Sequence, residues 1–204
     1  MSIENALIMN IDRHRFDVDG KGIVTLVTFF GCPLSCKYCI NDHCSKPETK
    51  KAFVSPKKLV EMLSVDDIYF SSSGGGVVFG GGEPLLNSEY LLEVFKLIPK
   101  RWQIRIETSI NVDWQAIEPL IPYVNQWIID IKDSNLNIYK KYTGIDGTRV
   151  YENIKKLSDT VGKDKLRIRV PNIPGFNTEA DVNKSVETYE KLGEIDVFTY
   201  RCNG

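Results

Sequence analysis

Short apolar, β-branched runs alternate with amphipathic stretches along most of this chain, and that alternation restricts the fold more than any other feature. Runs of five to seven residues bounded by turn formers read as strands, and the helical periodicity between them reads as covering helices. Repeated β-α units building a parallel sheet are therefore expected. Six strands are predicted, over Ile23–Phe29, Val77–Phe79, Gln103–Glu107, Trp127–Ile131, Leu166–Val170 and Val197–Tyr200. The intervening helices are predicted over Pro56–Leu63, Glu89–Leu97, Trp114–Tyr123, a short Asn137–Tyr142, Val150–Val161 and Glu179–Leu192. Ser88 and Thr178 suit N-caps, Asp181 follows Thr178 by three residues, Gly162 and Gly193 suit C-caps, and Ser71–Gly76 reads as a loop.

Side chains two apart on a strand share a face. Arg105 and Glu107 therefore point one way, as do Asp130 and Lys132, and Arg167 and Arg169, while the apolar residues between them turn toward helices. A closed eight-stranded barrel fills its interior with branched apolar side chains. Charge on one face of three strands fits something else: an α/β fold of the partial (β/α)6, TIM-like open-barrel kind, with parallel strands around a polar cavity. Four cations (Arg105, Lys132, Arg167, Arg169) and three anions (Glu83, Glu107, Asp130) would suit a ligand carrying both signs.

Composition narrows the functional classes. The 204 residues carry 26 Lys+Arg against 27 Asp+Glu, a net charge of −1, and no Pro-rich, Ser-rich or like-charge stretch marks a linker, so a single domain over 1–204 is expected. Neutral balance without a basic tract argues against a nucleic-acid surface. No uncharged run is long enough to span a membrane and the N-terminus lacks signal-peptide order, so no membrane partner and a cytoplasmic location are expected. A chain of this length typically buries about 70% of its unfolded surface, so its core needs no disulfide staples. The five cysteines, Cys32, Cys36, Cys39, Cys44 and Cys202, therefore need another explanation.

Three of them form Cys32-Pro-Leu-Ser-Cys36-Lys-Tyr-Cys39, directly after the first strand, at the strand end where α/β folds gather ligands. Three thiolates this close can cap three corners of an iron–sulfur cube and leave the fourth iron open for chemistry. Two alternatives stand beside that reading. His43 or Cys44 would close a structural zinc site, or Cys44 would close the cluster and make an electron carrier. Cys202 by itself reads as a free thiol, and His14 as a surface or hydrogen-bonded residue. A second motif, Phe79-Gly-Gly-Gly-Glu83-Pro84, follows the second strand. Its glycines let the backbone turn sharply and approach a ligand, and its carboxylate can accept from an ammonium.

Together these motifs resemble the radical S-adenosylmethionine superfamily, whose signature is the three-cysteine spacing with an aromatic before the last cysteine, here Tyr38, and a Gly-Gly-Glu-Pro turn. The resemblance implies a [4Fe-4S] cluster on Cys32, Cys36 and Cys39, whose open iron chelates the amino and carboxylate groups of S-adenosylmethionine. It assigns Gly81, Gly82 and Glu83 to the cofactor's amino group and Tyr38 to its adenine. It implies reductive cleavage to methionine and a 5′-deoxyadenosyl radical that abstracts a hydrogen atom.

A narrower resemblance covers most of the chain. The segment Arg15-Phe-Asp-Val-Asp-Gly-Lys-Gly-Ile23, Glu107-Thr108, Asp130-Ile-Lys132, and Arg169 within Arg167–Gly175 are similar to glycyl-radical-enzyme activating enzymes of the pyruvate formate-lyase activating enzyme kind. That family implies a monovalent cation held by Glu107, Thr108 and Asp130, and contacts from Lys132 and Arg169 to the cofactor's carboxylate end. It implies as partners a glycyl radical enzyme as protein substrate and a flavodoxin- or ferredoxin-type reductant, with the activase a monomer. The sequence departs from the family at Lys21 and Val24, where Pro and Arg are usual, and at Glu107, where Asp is commoner. A ribosomal peptide or small molecule as the substrate of the same radical, and a non-catalytic electron carrier, are the alternatives.

Overall fold

The computed structural model of the protein describes residues 5–16 and 18–200, so Asp17, Arg201 and Cys202 lie outside the described residues. These residues group into two compact units, one of residues 5–16, 18–32, 43–107 and 113–126, the other of 33–42, 108–112 and 127–200.

The first unit is a five-stranded sheet in the order β3-β1-β2-β4-β5. It contains β1 (Ala6–Phe16), β2 (Ile23–Phe29), β3 (Ala52–Val54), β4 (Gly76–Gly81) and β5 (Gln103–Thr108, of which Thr108 belongs to the other unit). Strands β2, β4 and β5 are parallel, whereas β1 runs antiparallel to both β2 and β3. The helices α1 (Pro56–Leu63), α2 (Asp67–Ser73) and α3 (Ser88–Leu97) belong to this unit. Helix α1 starts where Ser55 accepts from Lys58 N with Pro56 in the first turn, and buries Leu59 and Leu63, spaced one turn apart. The outward strand face is aromatic: Phe29 meets Tyr90 edge-on at 6.2 Å and Phe79 meets Phe95 at 5.1 Å. Each such fully buried ring contributes on the order of 1.5–3 kcal/mol. On the opposite face Val24, Leu26 and Val78 form an apolar cluster.

The second unit is a three-stranded parallel sheet in the order β6-β7-β8, with β6 (Gln126–Asp130, whose Gln126 is counted in the first unit), β7 (Leu166–Asn172) and β8 (Glu194–Thr199). Its helices are α4 (Leu136–Thr143), α5 (Thr148–Val161) and α6 (Glu179–Tyr189). Helix α5 buries Val150, Asn153, Ile154 and Leu157 on one stripe. The expected cap at Thr178 is a full capping box with Asp181, and Gly162 ends α5 at positive φ as expected.

These features differ from the sequence reading. Strand β1 was not expected, because Asp12-Arg-His-Arg15 breaks the apolar alternation; the strand absorbs that run with a register shift in which His14 takes φ of 56°. The predicted helix over Trp114–Tyr123 is two 3-10 turns, Trp114–Ala116 and Glu118–Leu120, since Pro119 and Pro122 each lack the N–H that a continued helix requires. The predicted loop is in part α2, whose Ser72 and Ser73 hydroxyls donate to carbonyls one turn back. Ser88 is the first residue of α3 rather than its cap, and α6 ends before Gly193, whose backbone lies too close to Leu166 O to admit a side chain.

Candidate active site

In the first unit the two sequence motifs meet through their backbones. Gly82 N donates to Phe29 O at 3.0 Å and Glu83 N to Gly31 O at 2.8 Å, so the Gly-Gly-Glu turn is tied to the residue before Cys32. Only glycine fits this turn. Gly81 has φ of 91°, and a Cβ on Gly82 would stand 2.2 Å from Gly31 O. Glu83 is 1% exposed, and its Oε1 accepts from Leu85 N at 3.2 Å, which caps the 3-10 turn Pro84–Asn87. Glu107 lies beside Gly80, where an added Cβ would come within 3.1 Å of Glu107 Oε2. Glu107 thus points away from the helices, as the alternation requires.

Arg105 does not join a mixed-charge cavity as expected. It is 5% exposed and donates to Lys21 O at 2.7 Å, with burial lowering its pKa and Asp19 partly opposing that effect. The Arg15–Ile23 segment explains this. Arg15 grips Asp19 at 2.6 Å and Asp12 at 2.7 Å, and Gly20, at φ of 103°, brings its backbone against the Arg105 guanidinium. The segment therefore uses Arg105 structurally.

In the second unit the cysteine loop is fastened to the end of α4: Ser35 N donates to Thr143 O and Lys37 N to Tyr142 O. Cys36 and Cys39 close one turn of this loop, with Cys39 N donating to Cys36 O at 3.3 Å. Cys32, Cys36 and Cys39 are all partly exposed, whereas Cys44 is buried. Burial pushes the Cys36 thiol up, and Lys132 offsets only part of that rise. Lys132 is 7% exposed; burial alone would lower it, but Asp130 first, then Tyr200, Cys36 and Tyr142, hold it well above the ordinary lysine range. Tyr38 packs edge-on against Phe176 at 5.6 Å and Tyr142 at 6.2 Å.

Five charges of alternating sign cross β6, β7 and β8. Lys132 Nζ is 3.9 Å from Asp130 Oδ2, Arg169 Nη1 is 3.4 Å from Asp130 Oδ1, Arg169 Nε is 3.9 Å from Asp196 Oδ2, and Arg167 Nη2 donates to that same Oδ2 at 2.7 Å. Asp196 was missed by the sequence reading, which began its last strand one residue later; its alternation with Phe198 and Tyr200 was the available signal.

Thr108, the last residue of β5, opens a strained loop. Its Oγ1 accepts from Ile110 N at 2.8 Å, and Ile110, a β-branched residue, is held at φ of 54°. Asn153 of α5 secures the loop by donating to both Ile110 O and Val112 O at 2.9 Å, while Asn111 donates to Tyr139 Oη and Asp146 O. Asn111 and Asn153 carried no sequence signal, because an asparagine on an amphipathic helix or in a turn is ordinary.

These residues fit the group the motifs imply. Three accessible thiols supply soft ligands for iron. No three Cys, His, Asp or Glu side chains converge on one point among the described residues, but the thiolates of a cube bind separate irons and need not converge. Asp130 Oδ1 is buried and, beyond its ion pair with Arg169, accepts no hydrogen bond among the described residues, which suits a cation or a donor brought by a ligand.

Residues 26–188 match the description of the Radical SAM superfamily. The chain belongs to the radical SAM superfamily. Among curated relatives, this radical SAM protein is 31% identical over 196 residues to the pyruvate formate-lyase-activating enzyme of Clostridium pasteurianum, covering 91% of the chain and 80% of that enzyme. It is 35% identical over 127 residues to the (2S)-3-sulfopropanediol dehydratase activating enzyme of Klebsiella oxytoca, covering 62% of the chain and 39% of the relative. The 4-hydroxyphenylacetate decarboxylase activating enzyme of Clostridioides difficile is 35% identical over 194 residues, covering 92% of the chain and 56% of the relative. The chain thus spans little more than half, or less, of the length of two of these three. Among solved structures, Streptococcus suis SuiB bound to precursor peptide SuiA matches 87% of the chain and 39% of its own at a TM-score of 0.68 and 16% identity. A domain of pyruvate-formate lyase-activating enzyme from Bacteroides vulgatus matches 63% of the chain and 82% of its own at 0.55 and 24%. These likenesses establish that the radical SAM protein shares the open, partial-barrel α/β fold.

Proposed function

We propose that this chain is a glycyl-radical-enzyme activating enzyme that removes a hydrogen atom from a backbone glycine of a partner enzyme. The observation that carries the reading is the 31% identity over 91% of the chain to a pyruvate formate-lyase-activating enzyme, with both motifs intact. When bound, the [4Fe-4S] cluster and S-adenosylmethionine supply reductive cleavage to methionine and an adenosyl radical able to take that hydrogen. Cys32, Cys36 and Cys39 hold the iron. Gly81, Gly82 and Glu83 would receive the cofactor's amino group, because the two glycines leave backbone groups approachable and the Glu83 carboxylate can accept from an ammonium. Lys132 and Arg169 meet its carboxylate, and Tyr38 meets its adenine. Glu107, Thr108 and Asp130 hold a monovalent cation, for which the oxygen-only donor set is suited. The chain's own contribution is orientation and exclusion of water.

The electron comes from a flavodoxin- or ferredoxin-type reductant, and the enzyme works as a cytoplasmic monomer. Among the described residues no helix is long and apolar enough to cross a membrane. The test is anaerobic reconstitution with iron and sulfide, reduction with dithionite, and assay for 5′-deoxyadenosine in wild type and Cys36→Ala. Product from wild type alone is expected. A glycyl radical signal on a co-incubated glycyl radical enzyme then supports the substrate assignment. Product without that signal on any such enzyme moves the assignment to a peptide or small molecule, and failure of the loaded protein to bind S-adenosylmethionine overturns the reading.

A further inference from the structure

We propose that Phe198 and Asp196 of β8 are positioning residues for Arg169, setting the plane and direction of its guanidinium. The register of β7 and β8 places Asp196 opposite Arg169, and residues 196 and 198 share one strand face. Arg169 Cζ lies 4.9 Å from the Phe198 ring centroid, within the range in which a guanidinium is attracted to a ring face. A planar, delocalised cation is oriented by such a face, not merely attracted. Two carboxylates flank it: Asp130 Oδ1 at 3.4 Å from Nη1 and Asp196 Oδ2 at 3.9 Å from Nε.

The distance to Asp196 has a cause. Arg167 takes the same Asp196 oxygen at 2.7 Å, so Asp196 is anchored by its lower neighbour and acts on Arg169 through its field, without pulling the side chain onto itself. Phe198 is held in turn. Its ring is 5.4 Å from Tyr200, which is 6.1 Å from Tyr142, fully buried at the end of α4. Ring, carboxylates and second arginine thus define Arg169 from several directions. The inference rests on the proposed function only in taking Arg169 as a contact for the cofactor's carboxylate; the arrangement itself exists without a ligand.

The test uses the full chain and the variants Phe198→Leu, Phe198→Tyr and Asp196→Asn, with Arg169→Lys to assign the Arg169 side-chain resonances. In the cofactor-free protein the Arg169 δ and ε protons are expected to show an upfield ring-current shift that Phe198→Leu abolishes and Phe198→Tyr retains. In the reconstituted protein the dissociation constant for S-adenosylmethionine is expected to rise three- to tenfold in Phe198→Leu and to stay within twofold of wild type in Phe198→Tyr. Leucine removes the π face and Phe198→Tyr keeps it, while the near-isosteric Asp196→Asn leaves packing unchanged, so a shift of Arg169 in that variant is the readout a purely packing role would not give. Should Phe198→Leu fail to fold, Asp196→Asn decides the matter: the Arg169 Nε resonance is expected to move, and an unmoved resonance overturns the inference. It is overturned equally if Phe198→Leu leaves both readouts unchanged, or if Phe198→Tyr loses as much affinity as Phe198→Leu. A wild type that shows the ring-current shift yet binds no S-adenosylmethionine overturns the functional reading and leaves the positioning intact.

Discussion

The two units present their functional groups by opposite means. The first offers backbone: Gly80–Gly82 carry no side chain, Gly82 N and Glu83 N bond Phe29 O and Gly31 O, and Gly81 and Gly82 are closed to any Cβ. The second offers side chains: Lys132, Asp130, Arg169, Asp196 and Arg167 alternate in sign across three strands, and Asn153 supports a strained loop from a helix. A glycine backbone tolerates no added volume and has no charge of its own to aim. A side-chain site is the reverse, because charge-assisted contacts depend on the identity and aim of each group.

The harshest way to probe this contrast is Gly82→Ala, whose new methyl must collide with the Gly31 carbonyl. A loss of about 3 kcal/mol or more is expected, since overpacking against backbone cannot relax by a rotamer change. Urea unfolding and the 5′-deoxyadenosine assay should both register it, and a stable, active Gly82→Ala would end the claim that the first unit works by shape. The counterpart in the second unit is Asn153→Ala. It strips the donor from two buried carbonyls and should cost about 2–3 kcal/mol, read as a lower urea midpoint at unchanged slope.

Cysteine substitutions sharpen the comparison further. Iron content after reconstitution should collapse in Cys36→Ala and persist in Cys44→Ala, with the latter losing only about 1 kcal/mol of core stability. Loss of iron in Cys44→Ala would revive a closed, four-cysteine cluster. Removing the α6 capping box with Thr178→Ala should cost about 1 kcal/mol without touching cofactor affinity, marking what a purely structural change in the second unit looks like.

The smallest effect concerns pH. Hydrogen bonds from Arg101 and Trp102 hold the Asp67 carboxyl down to about 2. A depressed carboxyl stabilises the fold above its unfolded value near 3.9 and loses that contribution as pH falls from about 4 toward 2. Asp67→Asn should therefore flatten the acid limb over that window by slightly lowering stability at neutral pH, with stability below about pH 2 unchanged.

How much of this was legible without coordinates follows from range along the chain. The strands of the β-α units, the capping box at Thr178 and the C-cap at Gly162 depend on neighbours a few residues away, so their signals are local. Strand β1 was not legible, because its pairing partners lie beyond its own charged run and its alternation is broken by a bulge. The Trp114–Tyr123 stretch misled because its apolar spacing is helical while Pro119 and Pro122 forbid the hydrogen bonds. Arg105 and Arg169 carry the same sequence signal, an arginine on a polar strand face. One is consumed by the Lys21 carbonyl and shadowed by Asp19, and the other stands among Asp130, Asp196 and Phe198.

The sequence by itself determined the chemistry class, because ligand spacing is a covalent property: Cys32, Cys36 and Cys39 stay within one loop whatever the rest of the chain does. It also determined which strand faces are polar, since alternation follows from the geometry of an extended chain. Only the tertiary structure decided which polar residues are available and which are spent. Whether an arginine is bound to a carbonyl, stacked on a ring or aimed at a ligand depends on partners dozens of residues away, brought close by packing that no local pattern encodes.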